Sequence, residues 1–142
     1  MNCMSQPTKK TVNVHLLSTI QHPDIPKETI ELHTEGELTI KGGQSYLVYE
    51  EIQNEKNVRT TVKLHDKAAL ILRSGGVKMR LPFQIGENQT GSYDSGFGSM
   101  MIMTNTKQLT FLEGQFKVEY ELIVQEEVVG TYLIQLTYSE AE

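Results

Sequence analysis

Three cations flank one turn: between Ile71 and Phe83, Arg73, Lys78 and Arg80 surround Gly75-Gly76. A guanidinium can grip a carboxylate or phosphate through two parallel hydrogen bonds, and an ammonium adds a point charge, so the set has the makings of an anion site. Two glycines suit the positive φ angles of a type I′ turn, and a two-residue hairpin here pairs Arg73 with Lys78, Leu72 with Met79 and Ile71 with Arg80. That register predicts Leu70, Leu72, Val77, Met79 and Leu81 on one face, with Arg73, Lys78 and Arg80 on the other. Like charges set opposite each other repel. The cations therefore call for carboxylates on adjacent strands, such as Glu31, Glu50, Glu51 or Glu119, or for an anionic ligand. A solvated outer face is the plainer alternative.

Other chemistry is sparser. His15, His22, His33 and His65 fall in separate segments, with no HxxxH or HExxH. His33 shares a strand face with Glu31 and Glu35, which offers part of a metal site. A solvated polar face explains the three as well, and no metal or cofactor is expected. Cys3 is the sole cysteine, which excludes an internal disulfide and the cysteine-rich zinc motifs. No G-x-S-x-G elbow is present, and Gly96-Phe97-Gly98 lacks the third glycine and following helix of a phosphate loop. No catalytic residue is assigned. In Ser99–Phe111, Met100, Met101 and Met103 flank Ile102, so apolar side chains occupy both faces. Methionine adapts to varied ligands and to irregular packing alike. The strand can wall a cavity, or offer its outer side to a covering element or to a second copy in a homodimer. Six tyrosines, at 46, 49, 93, 120, 132 and 138, can supply the polar handles of such a cavity.

Period-2 alternation positions these residues. Val12, Val14, Leu16 and Ile20 alternate with polar neighbours; so do Ile30, Leu32, Leu38 and Ile40, then Val58, Val62 and Leu64. Phe116, Val118, Tyr120, Leu122 and Val124 continue the pattern, as do Tyr132, Ile134, Leu136 and Tyr138. Turn residues separate the runs, among them Gly42-Gly43, His65-Asp66 and Glu113-Gly114. The reading is all-β: eight to ten strands joined by short links, hence mostly antiparallel neighbours. One apolar face per strand fits a sheet that curls over its own apolar side and removes its edges. An up-and-down barrel is expected, with a two-sheet sandwich as the alternative. Residues 9–138 form one domain; 1–8 and 139–142 read as loose ends, and 87–97 as the one irregular connection of any length, a bulged or kinked strand or a mobile flap.

The chain has 142 residues, 38% hydrophobic and 22% charged, with a net charge of −5. That suits one globular domain and argues against a general nucleic-acid binder. No stretch has the length and hydrophobicity of a membrane helix. The N-terminal ten residues lack the apolar core of a signal peptide, so a cytoplasmic location is expected, and Asn88-Gln89-Thr90 would not meet a glycosylation enzyme there.

Ordered short motifs resemble the YwiB-like family of bacterial proteins. They are Ile30-Glu31, Thr34 with Gly36, Tyr46-Leu47 with Tyr49 and Glu51, Arg73-Ser74-Gly75, Val77-Lys78-Met79, Phe83, Gly86, Tyr93, Phe97-Gly98, and Thr104 with Thr106. Leu81-Pro82 departs from the pattern. The resemblance implies a calycin-like (lipocalin-like) antiparallel barrel and brings no reaction, cofactor or catalytic residue. Such barrels often enclose a small apolar ligand, which is an analogy of fold alone. The reading that follows is a non-enzymatic binding module for a small amphipathic or anionic molecule. Arg73, Lys78 and Arg80 supply its polar contacts; Met79, Phe83, Met101 and Met103 supply its apolar ones. The alternative is a ligand-free interaction protein that oligomerises through an outer strand such as 99–111.

Overall fold

A computed structural model of the protein describes residues 8–53, 55–65, 67–94, 96–112 and 114–141. Ten strands follow in order: β1 (Thr8–His22), β2 (Ile25–Lys41), β3 (Gln44–Gln53), β4 (Lys56–Leu64), β5 (Ala68–Gly75), β6 (Lys78–Gln84), β7 (Asn88–Asp94), β8 (Ser99–Leu112), β9 (Gln115–Val124) and β10 (Glu127–Glu140). Each lies antiparallel beside its sequence neighbours, and β1 pairs with β10, so the sheet closes into an up-and-down barrel. Closure decides against the sandwich. Among the described residues no helix is long and apolar enough to cross a membrane.

The alternating runs set which side chains point inward. Val12 and Val14 of β1, Leu47 of β3, Val62 and Leu64 of β4, Phe83 of β6, Phe116 and Val118 of β9 and Leu136 of β10 are all buried. They form one continuous core along the barrel axis. Register shifts interrupt the ladders between Ile20 and His22, Thr106 and Gln108, and Val128 and Gly130. Such bulges bend and twist a sheet, as closure requires.

Pro82 explains the thinnest seam. It has no N–H for the ladder, and β6 pairs with β7 only over Lys78–Arg80. Beyond it the Thr104 hydroxyl of β8 donates to the Pro82 carbonyl, and Ile85 bridges to Thr106.

Three readings change. The β5–β6 hairpin pairs Arg73 with Met79 and Leu72 with Arg80, one residue out from the two-residue turn. The cause is the strand on the other side: Gly75 stays in register with Val58 of β4, and the Gly76 N–H donates to the Asn57 carbonyl at 3.0 Å. β5 therefore runs further before turning. Next, 88–94 is a strand that pairs with β8 without a bulge, where a kinked strand or a flap is expected. Finally, β10 continues through Ser139 and Glu140, paired with Asn13 and Val12, where a loose end is expected. Residues 1–7, most of the expected loose N-terminus, lie outside the described residues, while Thr8 already belongs to β1.

Candidate functional site

The one-residue change in register turns the side chains of β5 over relative to those of β6. Arg73 now points inward with Ala69 and Ile71, beside Met79, Leu81 and Phe83, while Leu70 and Leu72 lie outside with Lys78 and Arg80. The three cations thus do not share a face. Arg80 Nη1 donates to the Thr90 carbonyl at 3.1 Å on the outer wall. Lys78, opposite Asp94, borders an open groove of about 580 Å³ that also touches Lys56 and Gly76. On β8, Met101 is 68% exposed and shares the outer face with half-buried Met103, while Ile102 is buried within. The predicted contacts therefore divide: Arg73, Met79 and Phe83 line the interior, and Lys78, Arg80, Met101 and Met103 do not.

Arg73 meets an acidic partner. Its Nη2 donates to Glu51 Oε1 at 2.9 Å, and the two side chains are only 21% and 20% exposed. Strand pairing brings them together: Glu51 lies opposite Val58, and Arg73 opposite Thr60, two residues further along the same face of β4. Glu51 was one of several carboxylates nameable from sequence; the pleat selects it.

Below this pair the interior is polar and aromatic. Tyr49 sits opposite Thr60, and burial, reinforced by the Glu51 charge, pushes its phenol up to about 12 against the pull of Arg73. Burial, with Tyr132 close by, also raises Tyr120. Tyr120 stacks on Tyr132 at 5.2 Å and packs tilted against Phe83 at 4.7 Å. The Thr60 hydroxyl lies close enough to favour the Tyr49 phenolate slightly, yet neither it nor the buried Thr106 hydroxyl has a well-formed hydrogen bond among the described residues. A buried hydroxyl left in that state is costly, and ordered water or a ligand is the usual remedy.

The Tyr49 environment has a measurable consequence. A phenol held neutral by folding adds stability that is fully present below the ordinary tyrosine value near 10, and that stability is lost as pH rises through about 12. In an alkaline titration followed by phenolate absorbance, Tyr49 is expected to remain neutral after free tyrosine has ionised. Tyr120 also ionises late, so replacing Tyr49 by Phe should reduce the late absorbance step by one tyrosine rather than abolish it. A wild-type titration complete at the free-tyrosine value would refute the buried placement.

A second cluster lies on the outer wall. The β1–β2 register sets His15 directly opposite His33, and their rings stack at 4.3 Å with 11° between planes. Glu31 Oε2 is 2.6 Å from His15 Nε2 and 3.4 Å from His33 Nε2. The His15 hydrogen bond is the main cause that lowers the Glu31 pKa. Sequence reading joined His33 to Glu31 and missed His15, because the bulge between Ile20 and His22 offsets the hairpin by one residue.

A closed, ten-stranded antiparallel barrel with a charged pair inside one end defines a small β-barrel class of protein. Within it, residues 14–136 match the family model described as a domain of unknown function, DUF1934, and the chain belongs to that family. It is 30% identical over 131 residues to the uncharacterized β-barrel protein YwiB of Bacillus subtilis (strain 168), covering 89% of this chain and 92% of that one. The crystal structure of the Bacillus subtilis ywiB protein superposes with a TM-score of 0.83 at 28% identity, covering 94% of each chain. The YwiB-like resemblance and the barrel are thereby shown.

Proposed function

We propose that this protein is a non-enzymatic binding module for a small amphipathic or anionic molecule, taken up at the end of the barrel where Arg73 and Glu51 meet. The carrying observation is a charged pair turned inward, four-fifths hidden from solvent, in a wall built mostly of apolar side chains. Burying such a pair is costly unless something is gained by it. Tyr49 and the Thr60 and Thr106 hydroxyls extend the polar surface inward. The hairpins at the same end carry exposed Ile25, Ile52, Phe97 and Val128, an apolar rim suited to the non-polar part of an amphipathic ligand. Arg73 supplies the cation, Met79 and Phe83 apolar wall, and Lys78 a positive charge beside the turn. A single cysteine in 142 residues suits the reducing cytoplasm as the place of action.

Native mass spectrometry of gently purified protein, compared with the denatured mass, tests the reading. Wild type is expected to release a small molecule on denaturation. Arg73→Met alone leaves Glu51 unpaired and costs about 1–3 kcal/mol, less than for a fully buried pair because each side chain keeps about a fifth of its surface in solvent. The informative variant is therefore Arg73→Met with Glu51→Leu. It should fold and lose the added mass. Retention of the same adduct by this double variant would sink the proposal.

The exposed Met101 and the half-buried Met103 on the outer face of β8, with Phe97 at its approach, favour a second reading: self-association through that strand. A wild-type dimer without adduct, broken by Met101→Lys, is the result that reading requires.

A further inference from the structure

We propose that His15, Glu31 and His33 form a site for one borderline divalent transition-metal ion, such as Zn²⁺, on the outer wall of the barrel. It lies on the face opposite the Arg73–Glu51 pair and is independent of any ligand bound there.

The strands do most of the assembly. His15 and His33 face each other across β1 and β2, and Glu31 lies diagonally beyond, two residues along the same face of β2. One ligand atom from each residue lies within 4.8 Å of the other two. Zinc binds imidazole nitrogen and carboxylate oxygen at about 2.0–2.2 Å, so two ligand atoms on one tetrahedral ion stand roughly 3.4 Å apart. His33 Nε2 and Glu31 Oε2 already have that separation, at 3.4 Å. The His15–Glu31 contact, at 2.6 Å, must lengthen by less than 1 Å. The rings must also splay from their 4.3 Å stack so that both Nε2 lone pairs converge. Their exposure, 38% for His15 and 72% for His33, leaves room for that rotation.

The chemistry fits. Two nitrogens and one carboxylate oxygen suit zinc, copper, nickel or iron better than calcium or magnesium, which prefer all-oxygen shells. An imidazole ligates through a nitrogen lone pair, so the proton that His15 Nε2 shares with Glu31 leaves as the ion binds. Glu31 supplies a negative charge against the ion. Three protein ligands leave a coordination position for solvent or a small ligand. Both histidines also border an open groove of about 600 Å³ that runs past Glu35 and Thr137.

The test is Zn²⁺ competition against a chromophoric chelator, using the full chain. Wild type is expected to take up one equivalent. His15→Gln and His33→Gln should each weaken binding by at least about tenfold, as loss of a metal-site residue does. The thermal midpoint should rise with Zn²⁺ in wild type and not in either variant. Unchanged near-ultraviolet circular dichroism verifies that the variants fold. Should either fail that check, Zn²⁺-induced shifts of the His15 and His33 imidazole resonances in wild type decide instead. The proposal is overturned by equal uptake in wild type and a folded His15→Gln, His33→Gln double variant, by no uptake in wild type, or by unmoved imidazole resonances.

Discussion

Phe83→Ala is expected to lower the unfolding free energy by about 3–5 kcal/mol, the cost of deleting a buried aromatic ring. Phe83 is 1% exposed, and its ring packs against Tyr120 at 4.7 Å. Across the hairpin its partner is Ala69, too small to fill the space the ring would leave. The neighbouring strands are held in a closed hoop, which limits relaxation into the cavity and keeps the cost at the upper part of the range. Urea denaturation should show a fall in midpoint at an unchanged slope, and the thermal midpoint should drop by roughly 10 °C or more. Leu112→Ala, at a position 60% exposed, serves as the comparison and should cost less than about 1 kcal/mol. Equal losses in the two variants would mean that Phe83 is not packed as described.

Gly75→Ala should cost about 3 kcal/mol, the upper range for strained backbone. Two causes act together. Gly75 has φ of +104°, a conformation that side-chain-bearing residues rarely adopt, and an added Cβ would stand 2.3 Å from the Asn57 carbonyl oxygen. Gly42 separates the causes, since it has φ of +59° with nothing within 4 Å of an added Cβ. Gly42→Ala should therefore cost only about 1 kcal/mol. Relief of the Gly75 clash would also pull β5 away from β4, two residues from Arg73, and so disturb the pair with Glu51 as well as the turn. Equal penalties at the two glycines, read from urea midpoints, would show that Asn57 does not crowd Gly75.

Local pattern revealed most of the barrel and little of its registers. Val58, Val62 and Leu64 alternate with charged neighbours, and their burial follows from that pattern alone. The same holds for Phe116, Val118 and Tyr120. Register across the Gly75-Gly76 turn did not follow, because it is decided by Asn57 and Val58 on a third strand. As a result the pattern groups Arg73 with Lys78 and Arg80, although Arg73 points inward and the other two point outward. His15 shows the same limit. Counting outward from Pro23-Asp24 with His22 opposite Ile25 would set His15 across from Leu32, and only the bulge after Ile20 moves it to His33. Residue types marked the chemistry, whereas turns and bulges decided which residues meet.

Closure of the ring also bears on how the chain reaches its folded state. Nine of the ten strand pairings join sequence neighbours and can form as local hairpins. The pairing of β1 with β10 instead brings together residues more than a hundred positions apart. That step carries the largest entropy of loop closure, and until it occurs β1 and β10 each present an unpaired edge. At high concentration the first strand of one molecule can meet the last strand of another before its own. The same antiparallel register that seals the monomer would then link two chains by exchange of a terminal strand.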